Sequence, residues 1–457
     1  MAQPSLGHLS IIVIGAGFGG LAAGIELASR GAQVRIFESY SDMKKQGDVI
    51  QIPANATRLM AKWEGVLDDI FSASACPDTI AILNKDGKLL LNQELHTNFD
   101  GYPNLYSRRG GVQQRMLDYA VSLGVDINFG TPVTEISETD DLVAVVAGGK
   151  RWEADAIIGA DGVHSKSRRH ILGETAKAKK SGFAVYRSWF SLDFLRQDPV
   201  TEELATSEKD LFKIWIAEDT HAILTTNRAA KAATCFVTHK DLSDISEDWH
   251  VKGEVDGMLA CVQGWDKQLR HIIEKIPPEH LIDHKLLWRD PVPNWVSTGG
   301  RVCLVGDAAH PHLATSGTGA AQAIEDAACI AVLLQQTGPD TDIPLAFRAY
   351  QKLRYERTSL TQRMGWETRH VWHNTDWEAV AANPSMLKFP QPEWLLGSDA
   401  SKYAEENFQA VKSHIQSGTS FTSTNVPPGH VHEDWTIEQM LALEGNGAGK
   451  EFYQTRD

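Results

Sequence analysis

The chain has 457 residues, 42% of them hydrophobic and 23% charged, with a formal net charge of −15. That length exceeds one small core and suits two or three connected domains of ordinary soluble composition. An acidic balance of this size argues against nucleic acid or an anionic membrane as partner, because neither attracts a negative surface.

Residues 9–39, LSIIVIGAGFGGLAAGIELASRGAQVRIFES, read as strand, turn, helix, turn, strand. Ile11 to Ile14 form a continuous apolar run, as in a parallel strand buried on both faces. Leu21, Ile25 and Ala28 recur at helical spacing before Gly31 ends the helix. The run LSIIVIGAG is far shorter than the ~20 residues of a membrane span, and no basic segment and cleavage site accompany it. Helices are predicted near 55–71 and 111–123, then a strand closing on a glycine-rich turn at 159–162. From about 180 to 290, alternating stretches such as FAVYRSWF, LFKIWIA and HAILTTN predict a mostly antiparallel sheet. The proline-rich RDPVPNWV leads into a strand at 301–305, followed by helix over 319–337 and 343–374. The polar tail, with its Pro, Ser and Thr clusters near 416–428, reads as loosely packed wrapping. The five cysteines are scattered without a CxxC pair, which fits reduced thiols in an intracellular, cytoplasmic protein.

The chemistry begins at GAGFGG, where Gly15, Gly17 and Gly20 have G-x-G-x-x-G spacing between a strand and a helix. The first glycine permits a tight turn, the second admits a pyrophosphate, and the third allows close helix packing. The phosphates would meet free N–H groups at the positive end of the helix. Glu38 ends the second strand, where a carboxylate can bind an adenosine ribose. The chain then departs and returns twice to acidic-glycine turns, Asp161-Gly162 and Gly306-Asp307.

Three ordered motifs, GAGFGG with Glu38, GADGVHSKSR at 159–168 and GDAAHP…GTGAAQAIEDA at 306–327, resemble the class A flavoprotein aromatic monooxygenases. Within that family the chain is similar to the salicylate-hydroxylase-like branch over residues ~10 to ~375. The resemblance implies an α/β protein: a Rossmann-like FAD-binding fold of glutathione-reductase-like topology, an inserted mostly antiparallel substrate sheet and C-terminal helices. Segments 1–75, 111–178 and 296–385 would form the FAD side. Residues 76–110 would be an insertion toward the substrate, 179–295 the substrate sheet and 386–457 a wrapping tail.

The resemblance also assigns residues. Glu38 would bind the adenosine ribose, and Arg109, in YSRRGGVQQRML, the cofactor's phosphate and ribityl region, with Arg108 able to exchange roles. Asp161 would belong to a turn serving FAD and NAD(P)H, braced by Arg168, and Asp307 would accept hydrogen bonds from ribityl hydroxyls. The helix start near Gly319 and Ala320 would face the ring's negative edge, while Gly317 and Gly319 let backbone pass close to it. Glu325 and Asp326 read equally as helix-bracing or cofactor carboxylates.

On the substrate side, Tyr186 and Arg187 resemble the family's Tyr-Arg pair, and Arg187 reads equally as a sheet-face ion pair. Trp215, His221, Thr225 and Ala314 are pocket candidates. Two departures stand out: Asp48 replaces a small residue near the flavin, and Ala314 stands where the family commonly has proline, losing a rigid φ. His310 and His312 lie near Asp307 without a third ligand at fitting spacing, so no metal is expected. EGNGAGKE at 444–451 fails as a phosphate loop because glutamates occupy two of its required positions.

The implied activity is hydroxylation or epoxidation of an electron-rich phenolic or indole-like substrate with O2, through a flavin C4a-hydroperoxide, in a monomer or homodimer. NADPH or NADH would act transiently, as no second nucleotide fingerprint is present. An FAD dehydrogenase or reductase, a flavin-dependent halogenase (no W-x-W-x-I-P stretch is present) and a non-catalytic flavin-binding protein are the alternatives.

Overall fold

The computed structural model describes residues 5–43, 48–173, 179–241 and 252–445. Its centre is a five-stranded, all-parallel sheet in the order Val302–Leu304, Ala156–Gly159, Ser10–Ile14, Gln33–Phe37, Asp126–Asn128. These strands are short apolar runs buried on both faces, because helices cover one side and the antiparallel strands of residues 133–154 cover the other. Ile14, Gly159 and Leu304 stand in register, so the turns after them share one edge of the sheet. In an open α/β sheet that carboxyl edge is where a crevice forms.

The second layer is a larger sheet ordered Leu281–Trp288, Lys179–Ser188, Ala232–Lys240, Thr220–Asn227, Phe212–Ala217, Thr79–Asn84, Leu89–Glu94. Its pairs are antiparallel except Phe212–Ala217 with Thr79–Asn84. The strands within 79–94 join the same sheet as those after 179, so these two separate segments of chain form one surface. One face packs on the helices Val255–Cys261 and Lys267–Glu274, and the other meets Trp372, Leu387 and Phe389. Residues alternate between the faces with period two.

Two long helices join the layers. Gly319–Gln336 is buried along nearly its whole length, and its alanines let the helices Phe18–Ala28 and Ala400–Ser417 approach closely. Ile343–His373 runs from beneath the parallel sheet to the far end of the substrate sheet. Between them lies a buried ionic network. Asp326 accepts from Gly306 N–H (3.0 Å) and Arg354 Nε (2.9 Å), with His310 Nε2 2.6 Å away. Glu325 accepts from Asn55 (2.6 Å), Arg357 and Arg354. Both carboxylates are thus helix-bracing. Burial works to raise their pKa values, yet Arg357 and Arg354 hold Glu325 low, and His310 and Arg354 hold Asp326 low.

The tail corrects the expectation of loose wrapping. Asn425 carbonyl accepts from Arg357 Nη1 at 2.9 Å, Trp435 Nε1 donates to Ser359 at 3.1 Å, and Ile437 N donates to Asp290 at 2.9 Å. Trp435, Ile437 and Met440 pack with Trp288, Trp366 and Leu313. The anchors are the Asn425 backbone carbonyl and the apolar side chains of 435–440, while most serines and threonines of 416–428 stay exposed. The EGNGAGKE stretch lies almost wholly outside the described residues.

Candidate active site

The glycines of the first turn do separate jobs. Gly15 has φ +101°, and a Cβ there would lie 2.4 Å from the Ala160 carbonyl oxygen. At Gly20 a Cβ would lie 1.9 Å from the Gly15 oxygen, whereas at Gly17 it would meet no protein atom within 4 Å. Gly15 and Gly20 therefore serve the fold, and Gly17 keeps space open. The helix beginning at Phe18 has no side-chain cap and no acid in its first turn, so its first N–H groups face the crevice unsatisfied. Glu38 accepts from Ala16 N–H at 2.8 Å and Tyr40 N–H at 2.9 Å, which holds its carboxylate against the glycine loop.

The second turn is used differently. Asp161 accepts from the Ser165 hydroxyl, Lys166 N–H (2.7 Å) and Ser167 N–H (3.0 Å), capping the helix Lys166–Leu172, while its neighbours Ala160 and Gly162 line the crevice. Arg168 reaches across to the carbonyls of Ala308 (3.0 Å) and Ala309 (2.8 Å), so it braces the third turn. There Asp307 opens into the crevice. Burial raises its pKa, opposed by the charges of Arg109 and His310.

A cavity of about 360 Å³ runs from Gly17 and Phe18, past Arg109, Asp307, Gly319 and Ala320, to the substrate sheet. The helix from Gly319 also starts without a side-chain cap. Gly317 has φ +63°, and a Cβ there would strike Gln51 Oε1 at 2.4 Å. Ala314 faces the cavity, and its loop is held on both sides: Leu313 sits in the tryptophan cluster, and Thr315 Oγ1 donates to Gly365 O at 2.6 Å. Those flanking contacts replace the rigidity a proline would have provided. His312 walls the cavity, 2.9 Å from Thr361 Oγ1, whereas His310 belongs to the ionic network. Among the described residues no group of three or more His, Cys, Asp or Glu could hold a metal.

On the substrate sheet Arg187, His221 and Thr225 line the cavity. Tyr186 and Trp215 do not, which corrects the expectation for both. Tyr186 stacks on His239, and the Trp215 indole donates to Asp266 at 2.8 Å, both on the opposite face. The strand alternation that puts Arg187 inside puts its neighbour outside. Arg187 pairs with Asp48, so the departure at 48 is matched by a charge across the cavity. Arg109 sits in the same field. Burial and Arg187 lower its pKa, while Asp307 and Asp48 raise it.

Sequence reasoning missed Arg354 and Arg357, although two arginines three apart in a long amphipathic helix signal a shared face. It also missed Thr238, His284 and Arg369 at the cavity wall. Burial, then Arg187 and Arg109, pushes His284 down to about 3.

The open space at Gly17, two uncapped helix starts and an inward carboxylate at Asp307 fit a dinucleotide flavin. The FAD binding domain family matches residues 8–338. Asperlicin C monooxygenase of Petromyces alliaceus is 34% identical over 452 residues, 97% of this chain and 96% of that protein. A crystal structure of CtdE in complex with FAD and a substrate is 31% identical, with a TM-score of 0.83 over 89% of this chain and 99% of that one. The substrate complex of salicylate hydroxylase shares the fold, with a TM-score of 0.70 over 88% of this chain and 97% of that one, at 22% identity.

Proposed function

The chain belongs to the class A FAD-dependent monooxygenases, and from that membership we propose that it inserts one atom of O2 into an electron-rich aromatic substrate, phenolic or indole-like, by hydroxylation or epoxidation in secondary metabolism. The other oxygen atom leaves as water, and NADPH or NADH supplies the two electrons. The carrying observation is one continuous cavity that joins the flavin-type cradle at Gly17 and Asp307 to the wall bearing Phe212, Phe236 and Trp372.

FAD supplies the redox chemistry when bound, and the chain supplies binding, orientation and exclusion of water. In this reading Gly15 and Gly20 shape the turn, Gly17 admits the pyrophosphate and Glu38 takes the adenosine ribose. Asp307 accepts from the ribityl hydroxyls, and Arg109 balances the negative charge nearby. N–H groups at Gly319 and Ala320 would stabilise negative charge on the ring. Asp161 acts indirectly, by fixing its turn. Arg187, held by Asp48, is the residue placed to stabilise a developing oxyanion on the substrate. In the same reading the described residues of 1–75, 111–178 and 296–385 would form the FAD side and those of 76–110 and 179–295 the substrate side, with 386–445 packed against both.

The test is NADPH- or NADH-dependent oxygen uptake on adding a panel of phenols and indoles, with product masses measured. A mass gain of one oxygen supports the reading. Turnover that needs no O2 would make the protein a dehydrogenase, and no substrate-coupled uptake across the panel would overturn the proposal.

A further inference from the structure

The cavity wall on the substrate sheet ends in a chain of three side chains. Thr238 and His221 stand opposite each other on paired strands, with Thr238 Oγ1 3.2 Å from His221 Nε2. The other nitrogen of that ring, Nδ1, lies 2.7 Å from Nε2 of His373, the last residue of the long helix. Thr238 and His221 line the cavity. His373 Nδ1 is buried and has no hydrogen-bond partner among the described residues.

Both rings are neutral. Burial, then the charge of Arg369, pushes His221 down to about 3, and burial, then His221 and Arg369, holds His373 well below its ordinary value. A neutral imidazole has one donor and one acceptor, and a hydroxyl has one proton, so only two arrangements satisfy the chain. In the first, Thr238 donates to His221, His221 donates to His373, and His373 Nδ1 carries a buried N–H without an acceptor. In the second, His373 donates to His221 and His221 donates to Thr238. That arrangement leaves only a bare lone pair at His373 Nδ1, and it frees the Thr238 hydroxyl proton for the cavity.

The second arrangement is favoured on two grounds. A buried N–H without a partner is the rarer and costlier defect. The guanidinium of Arg369, one turn earlier on the same helix, favours a lone pair nearby over the positive end of an N–H dipole. We propose that Thr238 is a specificity-determining residue, set by His221 and His373 as a hydrogen-bond donor. It would select a neutral aromatic substrate that carries an acceptor, such as a carbonyl oxygen, at the end meeting the substrate sheet. Apolar side chains, Phe236, Phe212, Ile223 and Trp372, line the cavity beside it together with Arg369. A ligand without the acceptor leaves the hydroxyl desolvated and unpaired, a penalty of roughly tenfold or more in affinity.

This inference rests on the aromatic-monooxygenase reading but is tested without turnover. FAD-loaded protein is titrated with 1-indanone and with indane, two neutral bicyclic aromatics that differ by one carbonyl, and flavin difference spectra report binding. Wild type is expected to prefer 1-indanone by about tenfold. Thr238→Val should abolish the preference at unchanged FAD content, and Thr238→Ser should keep it. Thr238→Ala, which adds no bulk, is the second variant if the valine protein loses its flavin. Equal affinity for the two probes in wild type, or a preference that survives removal of the hydroxyl, overturns the proposal. Neither result bears on oxygen uptake, so failure here is distinct from failure of the monooxygenase reading.

Discussion

Arg187 on the substrate sheet and Asp48 on the FAD side form an ion pair whose side chains are 17% and 4% exposed, and both charges act on the guanidinium of Arg109. Arg187 lines the cavity and the buried Asp48 holds it, so loss of the pair affects chemistry and stability separately.

Arg187→Ala should cut product formation about 100-fold, the usual effect of removing one oxyanion donor, while FAD per chain stays unchanged. The variant should also melt lower, because a buried carboxylate has lost its counter-ion. Adding Asp48→Asn should recover much of that melting temperature without restoring activity. Equal melting of the single and double variants would show that the pair is not coupled.

The glycine loop offers a paired test. Gly17→Ala adds a methyl that meets no protein atom within 4 Å, so the variant should fold and lose at least tenfold in FAD affinity. Gly20→Ala drives a methyl to 1.9 Å from the Gly15 oxygen and should impair folding itself. Flavin absorbance per chain and circular dichroism distinguish the two outcomes.

Stability should depend on pH through buried neutral histidines. His221 and His284 are pushed down to about 3, and His312 and His373 lie well below their ordinary value, in each case with burial as the leading cause. The unfolded chain takes up these protons near pH ~6.5 and the folded chain does not. Their contribution is therefore complete above that pH and is lost as pH falls toward 3, at about 1.4 kcal/mol per pH unit for each histidine. Melting temperatures from pH 8 to 5 should show the decline, and His284→Gln should flatten it by about one proton.

Trp435 ties the tail to the loop that carries Ala314, through Leu313 and Trp288. Trp435→Ala should destabilise by about 3–5 kcal/mol, as large aromatic truncations in cores do. It should also raise the fraction of NADPH oxidised without product, seen as hydrogen peroxide. Tight coupling retained in a destabilised variant would separate the tail from the loop.

The glycine-rich turns were legible because their signals are local: spaced glycines follow the short apolar strand at 10–14, and a glycine with an acid follows those at 156–159 and 302–304 within a few residues. The substrate face was not. Period-two alternation in FAVYRSWF says that Tyr186 and Arg187 face opposite ways, but it cannot say which faces the cavity. That choice depends on which sheet face the helices at 255–274 cover. The partners of Glu325 and Asp326 were hidden for a related reason. They lie some thirty residues away on another helix, and only packing brings Arg354 and Arg357 to them.

The helix Ile343–His373 touches the ionic network, the loop at 311–316 and the wall of the larger sheet in turn. Arg354 and Arg357 hold the ionic network, Thr361 and Gln362 hold the loop at His312 and Pro311, and Gly365 accepts from Thr315. Trp372 then closes the cavity, and His373 stands behind it. At 1.5 Å per residue, Arg354 to Trp372 is about 27 Å of rigid rod. One residue inserted after Gly365 would turn the far end by about 100° and advance it by ~1.5 Å, carrying Trp372 and His373 off the pocket. The helix is thus a gauge block: the separation of the loop at 311–316 from the wall at Trp372 is kept by counting residues, so this segment is intolerant of a change in length.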